Sequence, residues 1–399
     1  MPNRRQRKVV LSKGILRFPQ PFTPGPGFSF DRFLHREFYC SVMIKKENRI
    51  SYIRSVPAKV LIMALSLGSV GCGFLGPSDS DDDLLPLAGL LALAGAQQAQ
   101  FDCTDDGLVW TEPTIPEANA WTGITYGNGL YVAVANDGTN RIMTSTDARN
   151  WTVRSAPGAA VPWYDVAYGD NLFVAVAGAN GAEDVMTSSD GVNWTRRSEP
   201  VTADFRRIEF GGGRFVAAAE STANLLVTAD GVSNSSVTPS GTIAAYNNVS
   251  YVNDKFLIFD QSSGSSIRSF TSTDGNSWTE RTVPSGLWTS SAYGSGRVVA
   301  VGFGGSGGDT LMYSPNGIDG WVLANDPATF PSYRAVAHGG GLFVAVNHNG
   351  SPEVIISTDG INWTGVAEPT TRSWINVAYG NGKFVAVAES GQIMVSECD

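Results

Sequence analysis

The sequence predicts an all-β fold, a seven-bladed β-propeller of four-stranded antiparallel blades, with the ring closed by the N-terminal strand joining the C-terminal blade. Three observations predict it. A motif returns every 41–45 residues from Trp121 onward, short apolar runs alternate with period 2, and the Trp residues fall in only two columns of the motif. Four short strands per repeat is the content of one blade. A β-solenoid is the alternative, although it would need capping repeats.

Each repeat opens on an aromatic residue, passes through a tight turn and ends in a boxed turn. The opening aromatics are Trp121, Trp163, Phe205, Tyr246, Trp288, Tyr333 and Trp374. The Asn-Gly turn in residues 126–129 is a strong hairpin signal, and the runs after such turns (for example 173–177, FVAVA) alternate as strands do. The third strand leads into a turn such as residues 188–195, SSDGVNWT. The ten Trp divide between the openings (121, 163, 288, 374) and the boxes (110, 151, 194, 278, 321, 363).

The two ends of the repeat region complement each other. The C-terminal repeat stops before its box, and the missing box stands at residues 104–111, TDDGLVWT. Residues 108–112 are therefore predicted to be the outer strand of the last blade. Cys103 and Cys398 flank this seam, and we predict a disulfide between them, worth ~2–4 kcal/mol in an oxidising compartment. Two unpaired thiols are the alternative.

The first hundred residues differ from the rest in composition. Residues 1–100 carry 13 Lys/Arg and 7 Asp/Glu, whereas residues 101–399 carry 15 and 30. Residues 1–42 are interpreted as a non-native upstream extension, with translation starting at Met43, or as disordered. Residues 43–71 combine a basic start with a short apolar run and predict a signal peptide. Residues 72–100 are a linker with an apolar stretch at 84–96, and residues 101–399 are the propeller.

The end of the signal segment resembles a bacterial lipoprotein signal. Val70, Gly71 and Cys72 match the lipobox, whereas Ser69 stands where Leu is usual. The resemblance implies lipidation of Cys72, and Gly73 after it implies the outer membrane of the cell envelope. Ordinary cleavage, giving a periplasmic or secreted protein, is the alternative, and an inert buried thiol is a third.

The boxed turns resemble the Asp-box (BNR, or bacterial neuraminidase repeat) of sialidases and of photosystem assembly-factor propellers. In this sequence Asp190-Gly191, Asp274-Gly275 and Asp359-Gly360 are adjacent, whereas the usual box has a residue between them. The Asp is expected to accept main-chain N–H bonds in its own turn, and the Trp to be buried between sheets. This burial is predicted for the following box residues: Trp151, Trp194, Trp278 and Trp363.

Several chemistries lack the residues they need. A body with net charge −15 is a poor partner for nucleic acid. His338 and His348 have no His or Cys beside them, so no metal and no cofactor is expected, and His338 is interpreted as a hydrogen-bonded structural residue. The Gly-rich run 302–309 lacks the Lys and helix of a phosphate loop. The Arg-Ile-Pro motif of sialidases is absent from the sequence.

The candidate ligand-binding residues follow the opening aromatics, where the strands are expected to run near a channel mouth. They are Tyr164, Asp165, Arg206, Arg207, Asn247 and Arg334. The alternative is that such residues only cap the strands. We predict a non-catalytic, monomeric cell-envelope propeller that binds a protein or glycan partner at one face and touches the membrane only through its lipid anchor. A sialidase-like glycoside hydrolase or lyase is the alternative, for which Asp165 and Glu209 are the only acids in the opening strands.

Overall fold

The computed structural model divides the chain into two units, Met1–Ala96 and Gln97–Asp399. The residues it describes are 39–46, 49–56, 70–73, 108–158, 161–178, 184–200, 202–220, 222–239, 248–260, 266–303, 309–328, 332–348, 351–366 and 370–398. All regular elements in these ranges are β-strands. The prediction of an all-β fold is confirmed.

The first unit contains one small antiparallel sheet. Its strands are β1 (Tyr39–Lys46), β2 (Arg49–Val56) and β3 (Val70–Gly73), in the order β2-β1-β3. Cys72 lies in β3, opposite Cys40 of β1. The signal peptide and the lipid anchor at Cys72 stay predictions. Among the described residues no helix is both long and apolar enough to cross a membrane.

The second unit contains a regular series of short strands. In chain order they are β4 (Leu108–Thr111), β5 (Trp121–Gly127), β6 (Leu130–Ala135), β7 (Ile142–Ser145), β8 (Thr152–Arg154), β9 (Trp163–Gly169), β10 (Leu172–Ala177), β11 (Val185–Ser188), β12 (Thr195–Arg197), β13 (Phe205–Gly211), β14 (Arg214–Ala219), β15 (Leu225–Thr228), β16 (Ser235–Val237), β17 (Ser250–Val252), β18 (Lys255–Phe259), β19 (Ser266–Ser272), β20 (Thr279–Gly294), β21 (Arg297–Phe303), β22 (Leu311–Ser314), β23 (Val322–Leu323), β24 (Tyr333–Gly339), β25 (Leu342–Asn347), β26 (Val354–Ser357), β27 (Thr364–Val366), β28 (Trp374–Gly380), β29 (Lys383–Ala388) and β30 (Ile393–Cys398).

These strands form antiparallel sheets that follow the repeats. Five sheets have four strands: β5–β8, β9–β12, β13–β16, β24–β27, and β28-β29-β30-β4. The sixth has seven strands, β17–β23, because the long strand β20 pairs with β19 through its first half and with β21 through its second. Dividing that sheet within β20 gives one sheet per repeat. The count of seven blades and a closed ring stay predictions.

The N-terminal strand lies at the outer edge of the C-terminal sheet. Strand β4 pairs antiparallel with β30, with Thr111 opposite Val395 and Leu108 opposite Cys398. Cys103 lies outside the described residues, so the disulfide to Cys398 stays a prediction. The first and last repeats also pack on each other, since Trp121 and Tyr131 share one apolar cluster with Val385 and Val387.

The core lies between neighbouring sheets. The second strand of each repeat is buried on both faces, as in Phe173–Ala177, and the four opening Trp are 0 % exposed. Because both of its faces are buried, such a strand carries mainly apolar residues, and many of them are small Ala residues. This packing gives each repeat a rigid opening strand.

The boxed turns have the hydrogen bonds expected of them. Asp190 Oδ1 accepts the main-chain N–H groups of Val192 and Asn193, both at 2.8 Å, and these bonds hold the pKa of Asp190 well below its usual range. Gly191 has φ = 71°, and a Cβ atom there would lie 2.8 Å from Leu130 of the preceding sheet. The boxes are thus structural turns that fit one sheet against the next.

The box Trp residues are not equally buried. Trp151 and Trp363 are buried, at 8 % exposure each, whereas Trp194 and Trp278 are half-buried. Trp151, Trp194 and Trp278 each donate Nε1–H to a carbonyl oxygen of their own box, at 2.8–3.0 Å. The prediction of burial is therefore correct for two of the four and too strong for the other two, whose rings cover the turn at the molecular surface.

Candidate binding site in the channel

A recurring β-bulge sets the direction of the candidate side chains. In β13, Phe205 pairs with Ala219 and Arg207 with Ala218, so that Arg206 is left out of the ladder. The same irregularity occurs at the second residue of five other opening strands: Thr122, Tyr164, Thr289, Arg334 and Ile375. A bulge breaks strict alternation and redirects side chains. It explains why neighbouring residues, such as Arg206 and Arg207, line the same recess.

Two connected cavities lie along the opening strands. The larger, which we name the channel, has a volume of about 350 Å³ and is lined by residues of all seven repeats. The smaller, the mouth recess, has a volume of about 140 Å³ and is lined by all six of these bulge residues. Arg207 and Arg334 line both cavities, and so does Thr289. The two arginines therefore stand where the recess meets the channel.

Arg206 is fixed by its neighbours. Its guanidinium lies 2.8 Å from Asp204 and 2.8 Å from Glu220, and its Cζ lies 3.8 Å from the centroid of the Tyr164 ring. A stacked, doubly paired arginine loses little further freedom on binding. Arg206 and Tyr164 thus form a rigid wall of the recess whose charge is already compensated.

The positive charges of Arg207 and Arg334 are much less compensated by neighbouring carboxylates than that of Arg206. Arg207 donates to the carbonyl oxygen of Arg206 at 3.1 Å, and the Arg334 guanidinium lies 4.3 Å from the centroid of the Phe303 ring. In the described part of the chain, neither has a carboxylate within 4.0 Å. Burial lowers the pKa of Arg334, the charge of Arg207 lowers it further, and Glu389 and Glu220 only partly oppose this. Two half-buried like charges at one position favour an anion between them.

Asp165 ties opening strands together. Its carboxylate accepts the N–H of Ile208 at 3.1 Å and a side-chain N–H of Asn376 at 3.2 Å, joining β9 to β13 and β28. Ser290 accepts a comparable main-chain bond from the next repeat. Burial raises the pKa of Asp165 to about 6, although the charge of Arg207 opposes the rise. This candidate residue thus has a structural role in addition to lining the channel.

Glu209 lies deeper in the channel. Its Oε1 accepts the N–H of Phe210 at 3.1 Å. Burial raises the pKa of Glu209 to about 8, and the nearby charge of Asp165 adds to the rise. Near pH 7 its carboxyl group is therefore mostly protonated and can donate a hydrogen bond.

The Glu209→Gln variant should be more thermostable than the wild type above about pH 4.5, with a gain that grows until about pH 8. Because the pKa of Glu209 is raised from 4.5 to about 8 on folding, its ionisation penalises the folded state increasingly from about pH 4.5 to about pH 8. We expect a gain of up to about 4 kcal/mol above pH 8 and none near pH 4. Melting curves measured across this range check it. An equal shift at both extremes would contradict the assignment.

The other predicted positions are distributed as follows. Asn247 lies outside the described residues. His338 is half-buried, its ring lies 4.5 Å from that of Phe343, and its Nε2 has no hydrogen-bond partner among the described residues. The ring of His338 thus packs on that of Phe343, and a hydrogen bond of its imidazole stays a prediction. No group of three or more His, Cys, Asp or Glu within the described ranges is arranged to hold a metal ion.

Sequence reasoning missed the acidic side of the recess. Glu220 and Glu389 line it, and each directly follows the second strand of its repeat. The antiparallel hairpin brings that position beside the opening strand, as the bond from the Glu220 N–H to the Asp204 carbonyl (2.9 Å) shows. Hairpin register applied to the residue after each second strand would have found them.

Comparison with solved structures identifies the fold. A streptogramin B lyase structure superposes with a TM-score of 0.64 at 11 % identity, covering 73 % of this chain and 98 % of that one. A catalytically inactive virginiamycin B lyase from Staphylococcus aureus, solved with quinupristin, gives 0.64 at 10 % identity over 73 % and 100 %. YCF48 from Cyanidioschyzon merolae gives 0.56 at 13 % over 72 % and 98 %, and a YCF48 structure bound to D1 peptide gives 0.57 at 11 % over 76 % and 100 %. The chain has a β-propeller fold. No family model and no curated protein matches the sequence.

Proposed function

We propose that this protein is a non-catalytic propeller of the cell envelope that binds an anionic group of a protein or glycan partner in its mouth recess. The observation that supports this proposal most strongly is the Arg207–Arg334 pair, two half-buried guanidinium groups that line both cavities. In the described part of the chain, neither has a carboxylate in ion-pair range. Arginine binds carboxylate and phosphate groups through paired N–H donors. An anion between the two would remove their mutual repulsion.

The surroundings of this pair also suit binding. Arg206 stacked on Tyr164 supplies a rigid wall, and the bulges present several variable side chains to the same recess. Glu220 and Glu389 line the same recess, so a ligand is expected to place an anionic group at the arginine pair and neutral or basic groups beside these two carboxylates. YCF48, which has a similar fold, has been solved with a bound peptide. That similarity supports a peptide ligand but does not identify one.

Replacing either arginine should weaken binding. The probes are an acidic hexapeptide and an oligogalacturonate, titrated by calorimetry at low salt. We expect the wild type to bind one of them, and Arg207→Gln and Arg334→Gln each to lose about tenfold or more in affinity, since each removes a charge-assisted contact. Arg154→Gln is the matched control, because this arginine lies on the outer strand β8 with its Nε–H bonded to Thr144.

The response to the two probes tests the proposal as well as the ligand class. A peptide response favours a protein partner, and a galacturonate response favours a glycan. Absence of binding to both probes would contradict the proposed function, and so would equal affinity in wild type and both variants.

A glycoside hydrolase or lyase activity is the second candidate. The specific observation is that Asp165 and Glu209 line one cavity, with pKa values raised to about 6 and about 8, as an acid and base pair would require. The hydrogen bonds of Asp165 to neighbouring strands weaken this candidate. A panel of fluorogenic glycosides tests it, and turnover by the wild type that is lost in Glu209→Gln would overturn the binding-only proposal.

A further inference from the structure

The end of the channel opposite the mouth recess has one irregular position. Each repeat carries a ring as the sixth residue counted from its opening aromatic, and the seven are Tyr126, Tyr168, Phe210, Tyr251, Tyr293, His338 and Tyr379. Six are half-buried, whereas Tyr293 is 42 % exposed. At about 3.3 Å per residue, this level lies roughly 13 Å along the strand from the bulge residues of the recess.

Two substitutions explain the exposure of Tyr293. Elsewhere the ring lies directly on the glycine that ends the preceding opening strand: a Cβ atom added to Gly127 would lie 2.0 Å from Tyr168, and one added to Gly211 would lie 2.0 Å from Tyr251. The corresponding residue before Tyr293 is Val252, which is buried and carries a side chain where the other repeats have none.

The second substitution removes the neighbouring ring. The sixth-residue rings of the other repeats pack against an aromatic residue of the second strand, as in Tyr168–Phe173 with ring centroids 4.5 Å apart. Tyr293 instead lies opposite Val298. Tyr293 has therefore lost both surfaces that hold its counterparts, and its ring does not serve the packing between sheets.

The channel wall between the mouth recess and Tyr293 is polar and incompletely hydrogen-bonded. Ser291 and Asn248 line the cavity and are 7 % and 2 % exposed, and neither Ser291 Oγ nor Asn248 Nδ2 has a hydrogen-bond partner among the described residues. Ser250 and Glu209 line the same cavity. Buried polar groups are normally satisfied, so these atoms indicate a polar occupant.

We propose that this end of the channel binds a neutral sugar ring stacked on Tyr293. A sugar combines C–H groups on its faces, which pack on an aromatic ring, with hydroxyls at its edge that both donate and accept hydrogen bonds. That combination matches an exposed ring at the end of a channel whose wall carries hydroxyl, amide and carboxyl side chains. The channel volume of about 350 Å³ accommodates one sugar unit with water. An aliphatic peptide side chain would leave the polar groups unpaired.

Saturation-transfer NMR on the full chain tests this inference, with D-glucose, D-galactose, D-mannose and N-acetyl-D-glucosamine as probes. We expect at least one sugar to bind the wild type. Tyr293→Ala should weaken its binding about tenfold or more, because stacking is lost. Val232→Ala, which removes another exposed apolar side chain in a distant box, is the control and should leave binding unchanged.

A second variant separates loss of binding from loss of folding. Tyr293→Phe keeps the ring at this exposed position, so it should retain most of the sugar binding, and both Tyr293 variants should keep the wild-type melting temperature because the side chain is 42 % exposed. Binding of none of the four sugars, or unchanged binding in Tyr293→Ala, would overturn the inference. Tyr293→Ala should leave binding of the acidic probes intact, because Tyr293 does not line the mouth recess. Failure here is therefore distinguishable from failure of the proposed function.

Discussion

Deletion of residues 101–112 should destabilise the whole second unit. The deletion removes β4, in which Leu108 and Trp110 are 6 % and 4 % exposed, and leaves β30 as an unpaired edge. We expect a loss on the order of 5 kcal/mol or more, because two large buried side chains and a row of inter-strand hydrogen bonds disappear together. Thermal unfolding followed by circular dichroism measures it, and the new edge should also promote aggregation.

The control for this deletion lies in the same strand. Val109 is 45 % exposed, so Val109→Ala should change the melting temperature little. A deletion variant that melts like the wild type would show that the pairing of β4 with β30 does not contribute to stability. Loss confined to a separate, early transition would show that the C-terminal sheet unfolds independently of the others.

Trp151→Ala should have the second-largest effect. The ring is 8 % exposed, lies 6.4 Å from the ring of Tyr131 and belongs to the cluster between the first and last repeats. We expect a loss of about 3–5 kcal/mol in the free energy of unfolding, measured by urea denaturation. Trp194→Ala, at a half-buried box, should cost clearly less.

Ligand binding distinguishes packing from recognition in this experiment. Each Trp151→Ala molecule that remains folded should bind the acidic probe with wild-type affinity, because the ring contributes to packing between sheets. If Trp151→Ala kept its melting temperature and lost binding, the Trp residues of the boxed turns would instead form a recognition surface.

The strands could be predicted well because each position of the motif recurs in seven repeats and can be compared among them. The C-terminal repeat, which stops before its box in the sequence, supplies three strands to its sheet, Trp374–Gly380, Lys383–Ala388 and Ile393–Cys398. The N-terminal strand, expected at 108–112, is observed at Leu108–Thr111. Periodicity and turn residues suffice for such assignments.

The site was predictable only in part. Placing Tyr164, Arg206 and Arg334 at one mouth followed from their common position in the repeat, and the structure brings them to one recess. The bulge that directs them has no sequence signature of its own. The compensation of Arg206 by Asp204 and Glu220 depends on contacts across a hairpin and was not visible in the periodicity.

The irregularity at Tyr293 was visible in the sequence but could not be interpreted there. Val252 stands where the six other repeats have Gly. Only the structure shows that the aromatic ring of the following repeat packs directly on that glycine. A departure from a repeat becomes informative when the contact that it removes is known.

The most direct test of the account is to follow the arginine side-chain Nε–Hε NMR signals of the full chain during titration with the acidic hexapeptide and then with the oligogalacturonate. We expect one probe to shift the signals of Arg207 and Arg334 together and saturably, while the signal of Arg154 stays fixed. Saturable binding of either probe that leaves Arg207 and Arg334 unshifted would contradict the account.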